Sequence, residues 1–235
     1  ENIPNILSKV SWNKSMKWGG HNLFWGRPLK SILSVFDGKK LDFNFNHLKS
    51  SNTTFVDKEL EEKTKSFSNF KSYNSFFKSL GILIDQEKRK SFISNELIKL
   101  SNKKKLKINL KENLLEEITN IVEKPKILLC EFDKKYLMIP KEILIITMQN
   151  HQKYFPTFDN KEDLTNNFFV VADTKDPKGF VKLGNERVIE ARLSDAEFFW
   201  KRNRSQNLVK QISQLKNINY FKGLGSYFDK VQRIR

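Results

Sequence analysis

The sequence predicts an α+β fold, and three observations carry that expectation. Short β-forming runs stand at 31–36, 127–132, 154–158 and 168–171, while residues at helical spacing fill 72–119 and 176–200. The two kinds of element are segregated along the chain instead of alternating as βαβ units, and no internal repeat is visible. The chain has 235 residues, 38% of them hydrophobic, enough for one large or two small domains with a real core.

Taken in order, residues 8–48 hold three of the four Trp. The run 31–36 reads as a strand, Asp37-Gly38 as a turn, and 41–45 as the return strand, because Leu41, Phe43 and Phe45 alternate with polar residues. Residues 49–71 are rich in Ser, Thr, Asn and Lys and read as irregular surface. Tyr73, Phe76, Phe77 and Leu80 then share a helix face that Gly81 can end. Asp85 can cap a helix carrying Phe92, Ile93, Leu97 and Leu100. Lys103-Lys104-Lys105 reads as a basic linker, and 110–118 as a further helix.

The runs 127–132 and 136–139 read as a hairpin across Asp133-Lys134, and Pro140 suits the first turn of a helix reaching about Asn150. Strands follow at 154–158 and 168–171. Asp176-Pro177 opens a long helix to Trp200 whose Ile189, Leu193, Ala196 and Trp200 form one buried stripe. Shorter helices are expected at 205–216 and from Asp229 onward. The expected division is an α+β domain over 1–200 and a helical extension over 201–235.

Charge bounds the partners. Lys+Arg is 43 against 27 Asp+Glu, a net +16. The sequence pI is about 9.7. Such an excess favours a polyanion, with nucleic acid the default. A gene biased toward Lys, Asn, Ile and Phe codons, which the 20 Phe suggest, would produce much of the same charge. The one cysteine, Cys130, lies in an apolar run and reads as a buried small hydrophobe. No apolar run approaches the ~20 residues of a membrane span. The ends carry neither an initiator Met nor a helix stop signal, so a longer parent chain is expected. His21, His47 and His151 stand far apart, and neither Gly-x-x-x-x-Gly-Lys nor Gly-x-Gly-x-x-Gly occurs. No metal or cofactor is therefore expected in this stretch.

Several residues are candidates for chemistry. His151 either faces RNA or a partner as a hydrogen-bonding group, or satisfies carbonyls at a helix C-terminus. Lys153 next to Tyr154 and Phe155 offers a cation with aromatic rings for phosphate and base, although alternation buries at least one ring. Lys201, Arg202 and Arg204, extended by Lys210, form the best phosphate candidate by composition, at a helix end where the dipole alone also favours cations. Gly223-Leu224-Gly225-Ser226 reads as a turn in preference to a phosphate loop. The paired acids Glu116-Glu117 and Glu186/Glu190 read as solvated helix faces, with Lys182 and Glu186 spaced for an ion pair of roughly 0.2–0.5 kcal/mol.

Two dense motifs stand out: MQNHQKYFP at 148–156 and GNERVIEARLSDAEFFW at 184–200. With Ser15-Met16-Lys17-Trp18-Gly19, Phe24-Trp25-Gly26-Arg27-Pro28, the LLEEI of 114–118 and the Lys230 and Arg233 that follow Leu224-Gly225-Ser226, they resemble the β subunit of bacterial two-subunit glycyl-tRNA synthetase. The departures are Lys124, where the family has Trp, and 49–71, where Asn52-Thr53-Thr54-Phe55 and Glu59-Leu60-Glu61-Glu62 stand in place of a Gly-His-Arg-Phe segment. The resemblance implies a region similar to the B3/B4 domain of phenylalanyl-tRNA synthetase, leading into an HD-type helical domain. It implies that ATP and glycine are handled by a companion α subunit in an α2β2 assembly. The β chain is then a non-catalytic contributor to tRNA(Gly) recognition, in the cytoplasm or in the stroma or matrix of a bacterial-type organelle. Lys153, Lys201, Arg202, Arg204, Lys230 and Arg233 are the expected RNA-contacting residues. His151, Gln152, Tyr154, Asn185, Glu186 and Arg187 carry the motifs without an assigned role. The competing readings are an editing hydrolase, which a related B3/B4 domain supplies, and a generic basic RNA-binding module.

Overall fold

The structure is a computed structural model that describes residues 2–56 and 63–235. The chain falls into two compact units that divide between Ile84 and Asp85. The boundary expected at residue 200 falls inside a continuous helix, Phe180–Ser205.

The first unit begins with α1 (Asn2–Ser8), continues through a series of short strands and closes with a second helix. The strands are β1 (Met16–Lys17), β2 (Phe24–Trp25), β3 (Ile32–Leu33), β4 (Val35–Phe36), β5 (Lys39–Lys40), β6 (Asn44–Phe45), β7 (Leu48–Ser51), β8 (Thr53–Phe55) and β9 (Thr64–Ser66). β4 and β5 form the expected hairpin, with Asp37 at φ 47° and Gly38 at φ 74° in the left-handed region that a tight two-residue turn needs. The return strand is nevertheless Lys39–Lys40, not 41–45, because so short a turn places Phe36 opposite Lys39. Phe45 belongs to the next hairpin, opposite Leu48.

Residues 49–71 are more regular than their composition suggests. β8 pairs with β9 from Thr53 opposite Ser66 to Phe55 opposite Thr64. Backbone ladders supply this order, and polar side chains do not advertise them. The substituted Glu59–Glu62 stretch lies outside the described residues. Phe67 is buried under Tyr73, Phe76 and Phe77 of α2 (Phe70–Ser79), with ring centroids 5.2, 5.6 and 6.1 Å away. Asn69 caps this helix, and Gly81 follows its end at φ 80°.

The second unit is a four-stranded antiparallel sheet with helices on both faces. It contains α3 (Gln86–Lys103), β10 (Lys107–Ile108), α4 (Glu112–Ile121), β11 (Lys126–Glu131), α5 (Lys141–Ile146), β12 (Phe155–Phe158), β13 (Leu164–Ala172) and α6 (Phe180–Ser205). The strand order is β10-β12-β13-β11. Side chains alternate across the sheet as the pleat requires. Leu128, Cys130, Tyr154, Phe168 and Val170 join Leu144, Met148, Ile189 and Leu193 on one face. Ile127, Leu129, Phe155, Phe169 and Val171 join Ile93, Leu97, Leu114, Leu115 and Ile118 on the other. A sheet covered twice needs apolar residues on both faces, which is why 127–130 of β11 and 168–172 of β13 are continuous apolar runs. The α+β class holds.

The expected 127–132/136–139 hairpin does not form. β11 pairs with β13, Lys126 opposite Ala172 and Glu131 opposite Asn167. Residues Lys134–Met138 coil into a 3-10 turn that the Asp133 carboxylate caps by accepting from the Lys135 amide at 2.9 Å. That turn buries Tyr136 in the core. Asp85 caps α3 as expected, accepting from the Lys88 amide at 3.0 Å. Beyond α6 come α7 (Leu208–Gln211), a 3-10 turn over Ile212–Asn217, the hairpin β14 (Asn219–Phe221)/β15 (Gly225–Ser226), and α8 (Tyr227–Ile234). The Gly223–Ser226 stretch is the hairpin's turn and strand, with Gly223 at φ 83° and Gly225 at φ 75°. α8 starts at Tyr227, before the expected Asp229, because Ser226 and Asp229 form a reciprocal capping box.

Candidate functional site

Pro140 precedes α5, and the helix then widens into a π-turn over Thr147–His151. Such widenings recur at functional sites because an extra residue changes which side chains face inward. Here the change sends Thr147, Met148 and Gln149 to the interior together. Lys153, at φ 61°, reverses the chain, and the Tyr154 amide closes back onto the Met148 carbonyl at 2.9 Å. A lysine in the left-handed region is uncommon, so the surrounding contacts fix this reversal.

The two sequence motifs meet at this point. The Tyr154 hydroxyl donates to Asn185 Oδ1 at 2.7 Å, and Asn185 Nδ2 donates to the Val181 carbonyl one helical turn earlier at 2.7 Å. Glu186 Oε1 accepts from the Glu131 amide at the end of β11 at 2.9 Å and lies 3.5 Å from Lys182 Nζ. α6 therefore packs on the sheet through its apolar stripe and is indexed along it by two polar bonds. Its start is fixed by Gly179 at φ 73° and by Asp176, whose carboxylate accepts from the Val181 and Lys182 amides at 3.1 and 2.8 Å. Desolvation works against the Asp176 carboxylate, and the Lys182 and Val181 amides still hold its pKa below the ordinary value. Ile189 and Leu193 are fully buried, whereas Ala196 and Trp200 are half-buried, so the stripe thins toward the helix end.

Burial dominates the titration of the two weak acids here. Desolvation, with Glu186 nearby, pushes the Cys130 thiol up to about 12. Desolvation, with Cys130 nearby, pushes the Tyr154 phenol up to about 12. Neither is a nucleophile or base at neutral pH.

The motif residues thus divide. Tyr154, Asn185 and Glu186 hold the fold together. Arg187 and His151 are exposed, with no hydrogen-bonding or ionic partner among the described residues, and Gln152 is half-buried. His151 stands at the end of the π-turn, where the sequence allowed either a carbonyl cap or a free surface group. Tyr154 and Phe155 are both buried, so neither ring offers a face to a base, which corrects the allowance for one.

Lys153 reaches Glu117 at 2.9 Å on the rim of a cavity of about 460 Å³. The cavity is also lined by Lys111, Glu112, Asn113, Leu114, Gln149 and Asn150. Sequence reading gave Lys111 no role and took Gln149 only as part of the 148–156 motif. Gln149 follows the inward-facing Met148 directly, and only the π-turn makes adjacent residues face inward, so periodicity could not find it.

The remaining expected RNA contacts sit in two places. Lys201, Arg202 and Arg204 lie near the end of α6, where Lys201 pairs with Glu197 and Arg204 lies over the Trp200 ring, 5.1 Å from its centroid. Arg202 is exposed and unpaired among the described residues. Lys230 and Arg233 belong to α8, with Lys230 Nζ 4.1 Å from the centroid of Tyr220. Among the described residues no cluster of His, Cys, Asp and Glu is arranged to hold a metal ion, and no helix is long and apolar enough to cross a membrane.

A family model described as glycyl-tRNA synthetase beta subunit matches residues 1–235. The chain belongs to that family. It is 35% identical over 235 residues to the glycine–tRNA ligase beta subunit of Rickettsia canadensis (strain McKiel), covering 100% of this chain and 35% of the relative. Similar values hold for the subunit of Rickettsia bellii (strain OSU 85-389), at 35% identity over 100% of this chain and 36% of the relative. The Dictyoglomus thermophilum subunit is 35% identical over 99% of this chain and 34% of its own length. The chain thus spans about a third of the length of these relatives. Within the family's frame, the 148–156 and 184–200 motifs meet at the bond between Tyr154 and Asn185.

Proposed function

We propose that this chain serves the tRNA-handling side of a glycyl-tRNA synthetase, within a β subunit that works with an α subunit in an α2β2 enzyme. The observation that carries the reading is the match of the whole chain to the beta-subunit family. The relatives' name, glycine–tRNA ligase beta subunit, supports joining of glycine to tRNA and a companion subunit, and the reaction in this reading is ATP-dependent glycylation of tRNA(Gly). ATP and glycine belong to that companion in this reading, and the region described here contributes contacts and no chemical step. The net charge of +16 suits an RNA partner. The compartment follows the reaction: the cytoplasm, or the stroma or matrix of a bacterial-type organelle.

Lys201, Arg202 and Arg204 are the first candidates for phosphate contact, with Lys153, Lys230 and Arg233 next. Replacing Lys201, Arg202 and Arg204 together by Gln in the assembled two-subunit enzyme tests the assignment. The slope of log affinity for tRNA(Gly) against log salt is expected to flatten by about 2–3, because each lost phosphate contact removes roughly one released counterion. An unchanged slope with intact folding removes this cluster from the interface. Binding of tRNA(Gly) no tighter than that of unrelated RNA at the same salt, by the unaltered enzyme, overturns the tRNA reading itself.

A further inference from the structure

The cavity beside Gln149 is bordered by the start of α4. α4 starts at its edge with Lys111 as the N-cap, at φ −65° and ψ 125°, and no side chain caps the helix. The first helical bond runs from the Leu115 amide to the Lys111 carbonyl at 3.0 Å. The amides of Glu112, Asn113 and Leu114 therefore point out of the helix end, and no described group accepts from them. All three residues line the cavity. The helix dipole adds partial positive charge at this end.

Gln149 is the independent observation. It is 6% exposed, it lines the same cavity, and no described residue hydrogen-bonds its side chain. No buried side-chain N or O among the described residues is sealed from solvent without a partner, so the unpartnered Gln149 amide reaches solvent, and the cavity is the space that Gln149 lines. A carboxamide this deeply buried is normally satisfied by the protein or by an ordered water. Left open, it is a donor and acceptor held ready for something from outside the chain. Two acids also line the rim, and each is held by a lysine: Glu112 by Lys90, and Glu117 by Lys153 at 2.9 Å. Lys111 is the cation with no acidic partner among the described residues.

We infer that this cavity binds a phosphate group. One oxygen sits on the amides of Glu112, Asn113 and Leu114, a second accepts from the Gln149 amide, and Lys111 supplies the balancing charge. Phosphate offers several acceptor oxygens to donors converging from two directions, which a single carboxylate satisfies less fully. The phosphate comes either from an RNA backbone or from a small free phosphate. Only the first source rests on the tRNA reading above.

The test is a titration of the full chain with inorganic phosphate, followed by backbone and side-chain amide NMR against chloride at equal ionic strength. Saturable shifts confined to Glu112, Asn113, Leu114 and the Gln149 side chain are expected. The variant Gln149→Glu, equal in shape with a negative charge in place of the amide, is expected to weaken them by about tenfold or more. A second titration with tRNA(Gly) separates the sources. The same amides moving, with phosphate as competitor, assigns the site to RNA, and amides silent to tRNA but responsive to phosphate assign it to a small phosphate. Shifts absent at about 10 mM phosphate, or spread evenly over the basic surface, overturn the site, since a built anion site still registers at millimolar affinity. If Gln149→Glu fails to fold, the titration of the unaltered chain decides alone. Failure here leaves the salt slope at Lys201, Arg202 and Arg204 untouched, and failure there leaves these amides untouched.

Discussion

Tyr154 and Gln149 flank the same chain reversal and are both more than nine-tenths buried, yet their polar groups meet opposite fates. Tyr154 spends its hydroxyl on Asn185, and Asn185 spends its amide on the Val181 carbonyl, so that side of the segment is closed. Gln149 spends nothing, and the helix end it faces leaves three amides without acceptors. Closed polar groups index α6 on the sheet, whereas open ones keep their free energy for a ligand. A motif rich in polar residues therefore does not by itself mark a binding surface. Part of the most distinctive spelling in this chain builds a clasp, and Gln149 of the same 148–156 motif joins the start of α4 on the receptive face.

Substitutions on the closed side are expected to be the most damaging. Leu193→Ala, in the fully buried stripe of α6, should destabilise the second unit by about 2–5 kcal/mol in denaturant melts. A loss below about 1 kcal/mol would show that α6 does not rely on the stripe. Tyr154→Phe removes one hydroxyl and leaves Asn185 Oδ1 without its donor, a cost of roughly 1–3 kcal/mol. The matched change on the open side, Gln149→Leu, breaks no bond and exchanges an unpaired amide for a similar apolar group. It should be neutral or slightly stabilising, within about 0.5 kcal/mol of zero or above it. Equal losses for Tyr154→Phe and Gln149→Leu would erase the distinction between the two sides.

The closed side also has a pH signature. Cys130 rises from 9.0 to about 12 and Tyr154 from 10.0 to about 12 on folding, both through burial first. The unfolded chain loses these protons at lower pH than the folded one. Their contribution is thus whole below about pH 9 and is lost as pH rises toward about 12. Urea melts across that window should show stability falling with pH, and Cys130→Ala should reduce the slope. A slope unaffected by Cys130→Ala would show the thiol to be solvated in the native state. The smallest effect belongs to the exposed partner in the Lys182–Glu186 pair. Lys182→Ala should cost less than about 0.5 kcal/mol, since Glu186 keeps its bond to the Glu131 amide.

These expectations also mark what the sequence could and could not reveal. The cap at Asp85, the turn at Asp37-Gly38 and the stripe of α6 were legible because each depends on residues close in the chain. The pairing of β11 was not, since its partner β13 lies beyond a 3-10 turn, a helix and another strand, and the Asp133-Lys134 turn between two nearby runs favoured a nearer hairpin. Strands β8 and β9 were hidden because their order comes from backbone ladders under polar side chains. Among the candidate residues, the basic cluster on α6 was visible by composition, and the Gln149 cavity was invisible because a π-turn broke the helical period that would have pointed to it.

The most direct test of the contrast is a crossover of two readouts on two variants. The melting midpoint and the phosphate response of the Glu112, Asn113 and Leu114 amides are measured for Tyr154→Phe and Gln149→Leu. Tyr154→Phe is expected to lower the midpoint and keep the response, and Gln149→Leu to keep the midpoint and weaken the response. The reverse pattern, or both variants losing both properties together, would contradict the division of this segment into a closed clasp and an open phosphate site.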